Sequence, residues 1–199
     1  MRRFLARQFA RPSGLVGRLV IAPWLDRISG AMNRLALQAL NPRPDEHVLE
    51  VGFGGGALMR AMRPRVARVS GVDVSEAMVQ RASNFDVRRA SAEALPFGDG
   101  AFDKAVSVNS LYFWPDPDKA FGELARVLKP GGRLVLCFEP PEELRKWPGH
   151  RHGFRLVEVE EVRGLMAAAG FSAVEEAWGT GRKPDRFCRL SGTRNGANG

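Results

Sequence analysis

Cysteine is scarce in this sequence, with only Cys137 and Cys188 among 199 residues. Both lie in stretches that have the pattern of β-strands. So few cysteines exclude a disulfide framework and a cysteine-rich metal site. We therefore predict two small buried residues in a protein of a reducing compartment, and a cytoplasmic location.

Long apolar runs are also missing. Residues 1–41 contain seven arginines and a single acid, Asp26, and are too charged to span a bilayer. They lack the apolar centre and cleavage site of a secretory signal. Apolar residues recur near helical spacing at Leu15, Leu19 and Leu25. We predict a helical lid over residues 1–41, while a membrane-associated amphipathic anchor and a targeting peptide remain alternatives.

Acidic residues are outnumbered, with 22 Asp and Glu against 30 Lys and Arg, which gives a net charge of +8. This excess suits an anionic partner, and a basic surface that maintains solubility explains it equally well. The chain shows no appended RNA-binding module and no motif for a flipped base. We therefore expect a small-molecule partner and not a nucleic acid, with monomer and homodimer both open.

A glycine-rich stretch, Val48–Gly56, is the most informative part of the chain. An apolar run that ends in clustered glycines is typical of a buried strand that stops at a tight turn. Together with a helix predicted over Ala57–Met62, it forms a nucleotide cradle. A second predicted strand, Val69–Asp73, ends in a carboxylate where a ribose-binding acid belongs. The same spacing also fits the dinucleotide fingerprint, so these residues alone leave both cofactor classes open.

Strands and helices alternate regularly after residue 41. We predict a main domain over residues 42–191 and a polar, disordered tail over residues 192–199. A βαβ rhythm implies a largely parallel sheet with right-handed crossovers. The further predicted strands are Phe85–Arg88, Phe102–Val108, Arg133–Phe138, Ala173–Ala177 and Arg186–Leu190, and the further predicted helices are Leu35–Leu40, Glu76–Ala82, Asp118–Leu128 and Glu158–Ala169.

Three later motifs, Gly71–Met78, Ala92–Phe97 and Arg126–Gly132, follow the glycine stretch in order. Together the four motifs resemble the class I S-adenosylmethionine-dependent methyltransferases, in the type 11 or ubiquinone/menaquinone-biosynthesis-like branch. The resemblance implies a Rossmann-like three-layer α/β sandwich. Its seven-stranded, mostly parallel sheet has the order 3-2-1-4-5-7-6, with the last strand antiparallel and helices on both faces. It also implies S-adenosylmethionine as cofactor and S-adenosylhomocysteine as product, which a dinucleotide domain would not use.

The resemblance further implies a set of cofactor-binding residues. Glu50 would place charge near the ammonium group of the cofactor, Asp73 would bind both ribose hydroxyls, and Val74 would cover the adenine. At Ser91 the chain departs from the aspartate that relatives often carry, so a weaker acceptor would meet the adenine amino group. The full set is Glu50, Gly52, Phe53, Gly54, Asp73, Val74, Met78, Ser91, Ala92, Glu93 and Asn109.

Catalysis in this family depends mainly on positioning, and a base is needed only for a protonated acceptor. The candidate catalytic residues are Tyr112, His150 and His152. Tyr112 could equally pack at the sheet edge, and the two histidines could lie in a solvated loop. No third ligand accompanies them, so no metal is predicted.

The acceptor itself is predicted to be small and apolar, aromatic or lipid-like, methylated on oxygen, nitrogen or carbon by in-line transfer. The insert after Pro140 is short, so the N-terminal segment would complete the pocket through residues such as Gln8, Phe9, Arg11 and Trp24. A non-catalytic cofactor-binding or scaffold protein on the same fold is one alternative. An RNA methyltransferase is the other.

Overall fold

The computed structural model describes residues 14, 22–151, 153–181 and 184–196. Within these ranges seven strands alternate with α-helices and three short 3₁₀ turns. The strands are β1 His47–Val51, β2 Arg68–Asp73, β3 Asp86–Arg89, β4 Phe102–Val108, β5 Leu128–Phe138, β6 Phe171–Thr180 and β7 Arg186–Arg194. The helices are α1 Ala22–Ile28, α2 Gly30–Leu40, α3 Ala57–Met62, α4 Glu76–Arg81, α5 Pro117–Val127, α6 Pro141–Leu144 and α7 Val159–Ala168.

All seven strands form one sheet in the order β3-β2-β1-β4-β5-β7-β6. Strands β1 to β5 pair in parallel, and β7 runs antiparallel to both β5 and β6. The predicted sheet order and its antiparallel last strand are therefore confirmed. The predicted bounds of β4 and α3 agree with the structure, because their flanking glycines and polar residues punctuate the chain clearly.

Side chains of β5 alternate between the two faces of the sheet, as a period of two requires. Leu134 and Leu136 pack into a core that includes helices α5 and α7. Val135 and Cys137 pack into the opposite core, which includes α2, α3 and α4. The three-layer sandwich is thus present in the packing. Cys188 belongs to the first core, and both cysteines are buried and unbridged, as predicted.

Helix α2 is part of the core, although the sequence placed it in a lid. Its residues Met32, Ala36 and Leu40 are fully buried against β4 and β5. Their spacing of four residues puts them on one face of the helix. Residues 1–13 and 15–21, with Gln8, Phe9 and Arg11, lie outside the described residues. None of the helices in the described ranges has the length and apolar character needed to cross a membrane.

Strand β7 continues to Arg194, so the prediction of a disordered tail from residue 192 was wrong for its first three residues. Gly192 pairs with Leu134, and Thr193 pairs with Arg133 on one side and Ser172 on the other. Because β7 lies between two strands, its backbone is hydrogen-bonded on both sides. These bonds do not depend on apolar side chains, and the polar composition therefore misled the prediction.

Helix α5 packs against Trp114, which follows the carboxyl end of β4. Phe121 is buried in α5 and its ring lies 5.8 Å from that of Trp114, edge to face. We expect Phe121→Ala to lower the free energy of unfolding by about 3–5 kcal/mol, since it leaves a cavity under Trp114. Urea unfolding measures this change. The exposed neighbour Lys119 is the control, and Lys119→Ala should change the free energy of unfolding by less than about 0.5 kcal/mol. Similar losses in the two variants would contradict the assignment of Phe121 to packing.

Candidate functional site

A cavity of about 410 Å³ opens where the carboxyl ends of β1, β2 and β4 meet. Strand β1 pairs with β2 on one side and β4 on the other, so the cavity lies where the order of strands reverses. Open α/β sheets bind their ligands at this point. Ten of the eleven predicted cofactor residues line the cavity: Glu50, Gly52, Phe53, Gly54, Asp73, Val74, Ser91, Ala92, Glu93 and Asn109.

Met78 is the exception. It is fully buried between α4 and the sheet and does not line the cavity. Val74 takes the position expected for an adenine cover, because it is an exposed apolar residue on the cavity wall. The sequence alone did not show that Val74 faces the cavity and that Met78 faces the core.

The turn after β1 requires glycine at Gly52. This residue has a φ of 76°, and its N–H donates to the carbonyl of Val72 at 2.8 Å. A Cβ added at Gly52 would lie 2.5 Å from the Cβ of Ser110. The Ser110 hydroxyl donates in turn to the Val51 carbonyl at 3.3 Å. The end of β4 therefore packs directly beneath the glycine turn, and no other residue fits there.

Asp73 connects the ends of β1 and β2. Its Oδ2 accepts the N–H of Gly54 at 2.9 Å, and its Oδ1 accepts the N–H of Ser75 at 2.8 Å. Burial raises the pKa of this carboxyl, and the two hydrogen bonds oppose that rise. Each oxygen retains acceptor capacity, so the carboxylate can receive a pair of hydroxyl groups from a ligand.

Glu50 carries an acceptor without a partner. Its side chain is 3% exposed and lines the cavity, and among the described residues its Oε2 has no hydrogen-bond donor. Burial raises the pKa of Glu50 well above its ordinary range, and the nearby charges of Asp26 and Asp73 raise it further. A buried acceptor without a donor is costly unless a ligand supplies one. The position therefore fits a cationic group.

Helix α1 contributes a fourth carboxylate, beside those of Glu50, Asp73 and Glu93, which the sequence did not assign to the site. Asp26 lines the cavity, and its Oδ1 accepts the N–H of Ala57 at 3.2 Å. Its Oδ2 forms a salt bridge of 2.6 Å with Arg60, which also donates to the carbonyl of Gly55 at 2.8 Å. The available signal was that Asp26 is the single acid in a strongly basic segment.

An apolar wall borders another part of the cavity, formed by Phe113, Trp114 and Pro115 after β4. The ring of Phe113 packs edge to face on Phe154 at 4.5 Å. Trp114 is buried against Phe121, as described above. This wall excludes water and suits an apolar or aromatic ligand.

Tyr112 lies behind the cavity wall, in a closed ring of hydrogen bonds. Its hydroxyl donates to Oδ1 of Asn109 at 2.9 Å and accepts the N–H of Glu139. Asn109 donates to Oε1 of Glu139 at 3.3 Å and has a φ of 59°. Burial raises the pKa of Tyr112 well above its ordinary value, which keeps the phenol neutral. This geometry favours a positioning role for Tyr112 over the predicted catalytic one.

Of the two candidate histidines, only His150 is among the described residues. His150 lies in the 3₁₀ turn Pro148–Arg151, with Nδ1 2.7 Å from the Trp147 carbonyl, and is absent from the cavity lining. His152 lies outside the described residues, whereas Gly153 lines the cavity. In the part of the chain that the structure describes, no three histidine, cysteine or acidic side chains are grouped to hold a metal ion.

A family model described as a methyltransferase domain matches residues 49–136, which include the glycine turn, Asp73 and Asn109. The chain belongs to the class I S-adenosylmethionine-dependent methyltransferases of type 11. Its cofactor is S-adenosylmethionine. The dinucleotide alternative left open by the glycines is therefore excluded.

Relatives of this methyltransferase agree with the assignment. It is 33% identical over 119 residues to the uncharacterized methyltransferase YdaC of Bacillus subtilis, and the match covers 56% of this chain and 66% of YdaC. It is 39% identical over 110 residues to demethylmenaquinone methyltransferase of Tropheryma whipplei, and the match covers 52% of this chain and 46% of that enzyme. The chain thus spans only part of the length of these relatives. A solved methyltransferase structure from Thermotoga maritima has a TM-score of 0.74 and 25% identity, and the match covers 90% of this chain and 98% of that chain.

The cavity residues of the methyltransferase fit this cofactor. Its ammonium and sulfonium groups are cationic and its ribose carries two neighbouring hydroxyls. The unpartnered oxygen of Glu50 matches a cation, and the two oxygens of Asp73 match a diol. The apolar Val74 offers a surface for a flat base.

Glu50 and Glu46, at opposite ends of β1, allow a matched test of this fit. Both are 3% exposed, but Glu46 accepts from Lys104 at 2.9 Å and from the backbone of Arg43. Burial would raise the pKa of Glu46, yet these bonds outweigh it and lower that pKa. Glu50 therefore destabilises the fold increasingly above about pH 4.3, while Glu46 stabilises it there and loses that effect in acid.

We expect Glu50→Gln to raise the melting temperature at pH 8 and to weaken S-adenosylmethionine binding, and Glu46→Gln to lower the melting temperature without affecting binding. Because the ammonium group favours ionised Glu50, wild-type affinity should rise with pH and binding should release protons. Calorimetry in two buffers of different ionisation enthalpy measures the release. Proton uptake, or a pH-independent affinity, would contradict the assignment of Glu50.

Proposed function

We propose that this methyltransferase transfers the methyl group of S-adenosylmethionine to a small apolar or aromatic acceptor. One observation carries the proposal. The Glu50 carboxylate with its unpartnered Oε2, the Asp73 carboxylate and the apolar wall at Phe113 and Trp114 all line a single cavity in the described part of the chain. A cationic, hydroxyl-bearing cofactor and an apolar acceptor can therefore lie side by side in it.

Two carboxylates hold the cofactor in this proposal. Asp73 accepts the two ribose hydroxyls while its bonds to Gly54 and Ser75 keep it in place. Glu50 accepts the ammonium group through its free oxygen. When bound, the cofactor supplies a sulfonium methyl group that is reactive towards a nucleophile.

The apolar wall provides the acceptor side. Phe113, Trp114 and Pro115 exclude water and restrict the orientation of the acceptor, so that proximity supplies much of the rate enhancement. Asn109 lies on the cavity wall beside them and is held by Tyr112 and Glu139. We assign Tyr112 a positioning role.

Proton removal, where the acceptor requires it, has two sources in the proposal. Burial raises the pKa of Glu139 to about 7, although its bond from Asn109 opposes the rise. A carboxyl with this pKa can accept a proton at neutral pH, but Glu139 is absent from the cavity lining and is linked to it by its bond from Asn109. His150 and His152 precede the cavity residue Gly153 and remain candidates for acceptor contacts.

The relatives support a small acceptor over RNA. Among them is an enzyme named for demethylmenaquinone, a quinone. The net charge of +8 is the observation that favours RNA, yet no lysine or arginine of the described residues lines the cavity. Within the described residues, the basic side chains therefore do not make a polyanion-binding wall of this cavity.

We expect Asp73→Ala to abolish measurable S-adenosylhomocysteine binding, because the ribose hydroxyls lose both acceptors and the Gly54 and Ser75 N–H groups lose their partner. Calorimetric titration and a melting curve measure affinity and folding together. Asp118→Ala, an exposed acid in the first turn of α5, is the control. Unchanged affinity in folded Asp73→Ala would refute the ribose assignment.

Methyl transfer is tested by S-adenosylhomocysteine release with a panel of quinols, phenols and fatty acids, alongside bulk tRNA. We expect turnover with a member of the small-molecule panel and none with tRNA. Turnover with tRNA alone would favour the RNA alternative. Cofactor binding without any turnover would favour the scaffold alternative.

A further inference from the structure

The junction of α1 and α2 presents three polar side chains to the cavity: Asp26, Ser29 and Asn33. Their spacing of three and four residues places them on one face of a continuous helical path. Ser29 precedes α2 in the capping position, but its hydroxyl forms no cap hydrogen bond. Neither the Ser29 hydroxyl nor the Asn33 amide bonds to any other residue that the structure describes.

Asp26 fixes this junction against the glycine turn. It accepts the N–H of Ala57 and pairs with Arg60, which is bonded to Gly55. Its charge also acts on Glu50, so the two carboxylates are close. Ser29 and Asn33 line the same cavity as Glu50, whose Oε2 has no donor among the described residues.

The side chains that line the cavity include several acidic acceptors but few hydrogen-bond donors. Asp26, Glu50, Asp73 and Glu93 line it, whereas no basic side chain of the described residues does. Ser110 already bonds to Ser107 and Val51, and Asn109 bonds to Glu139. Of the lining donors that form no side-chain hydrogen bond with a described residue, Ser29 and Asn33 lie on the junction that Asp26 bonds to the glycine turn, whereas Ser91 follows β3 and Trp114 follows β4.

An α-amino acid group needs two kinds of partner within a short distance, because its ammonium and carboxylate are attached to the same carbon. The ammonium requires an acceptor, which Glu50 offers. The carboxylate requires donors, and hydrogen bonds to a charged group contribute more than bonds between neutral groups.

We propose that Ser29 and Asn33 donate hydrogen bonds to the α-carboxylate of the cofactor's methionine end, whose ammonium binds Glu50. Asp26 acts as a positioning residue that holds the α1–α2 junction on the glycine turn. The inference rests on the proposed function. It makes the junction a specificity determinant that selects ligands with an intact α-carboxylate.

The test compares S-adenosylmethionine with decarboxylated S-adenosylmethionine, which differs by that carboxylate alone. Affinities of the full chain are measured by calorimetry for wild type, for the Ser29→Ala/Asn33→Ala double variant, and for Gln38→Ala, an exposed amide on α2. We expect the double variant to bind S-adenosylmethionine about 10- to 100-fold more weakly. Its affinity for the decarboxylated ligand should equal that of wild type, and Gln38→Ala should bind both ligands normally.

A second variant, Asn33→Asp, places a carboxylate against the proposed carboxylate. It should weaken S-adenosylmethionine binding and leave or strengthen binding of the decarboxylated ligand, and it removes less volume if the double variant folds poorly. Equal losses for the two ligands, or no loss for either, would overturn the inference while the proposed function stands. If wild type binds neither ligand, the proposed function fails together with it.

Discussion

The site depends on the two hydrogen bonds that the carboxylate of Asp73 accepts from neighbouring backbone N–H groups. This carboxylate receives an N–H from the turn after β1 and another from the residue that begins the turn into α4. Two neighbouring strand ends are thereby held at a set separation, with Gly52 bonded across to Val72. These hydrogen bonds within the chain fix the positions of the loops that form this part of the cavity wall.

The charge of the cavity is opposite to that of the whole chain. The protein carries a net charge of +8, yet four acids and no lysine or arginine of the described residues line the cavity. Glu46, just before β1, and Glu50, within it, show the consequence. Lys104 pairs with the first, whereas Oε2 of the second has no hydrogen-bond donor among the described residues. A buried acceptor without a donor is costly, and the proposed cationic ligand would supply the missing hydrogen bond.

Catalytic and structural roles were hard to separate by sequence around Tyr112. A lone tyrosine after β4 is a reasonable catalytic candidate, but its hydroxyl is committed to Asn109 and Glu139. The same limit applies to Met78, which α4 turns into the core. Residue type identifies chemistry that a side chain can perform, whereas the rotation of a helix or turn decides whether that chemistry reaches the cavity.

The sequence by itself determined the glycine turn and the acidic end of β2, because apolar periodicity and positive φ at glycine act over a few residues. The strand order and most of the cavity-lining residues were implied by the resemblance of four motifs to a known family, and not by local pattern alone. Only the tertiary structure decided that α2 is a core helix, that residues 192–194 complete β7, and that Asp26, Ser29 and Asn33 reach the site. Each of these outcomes results from contacts between segments far apart in the chain, which no local pattern encodes.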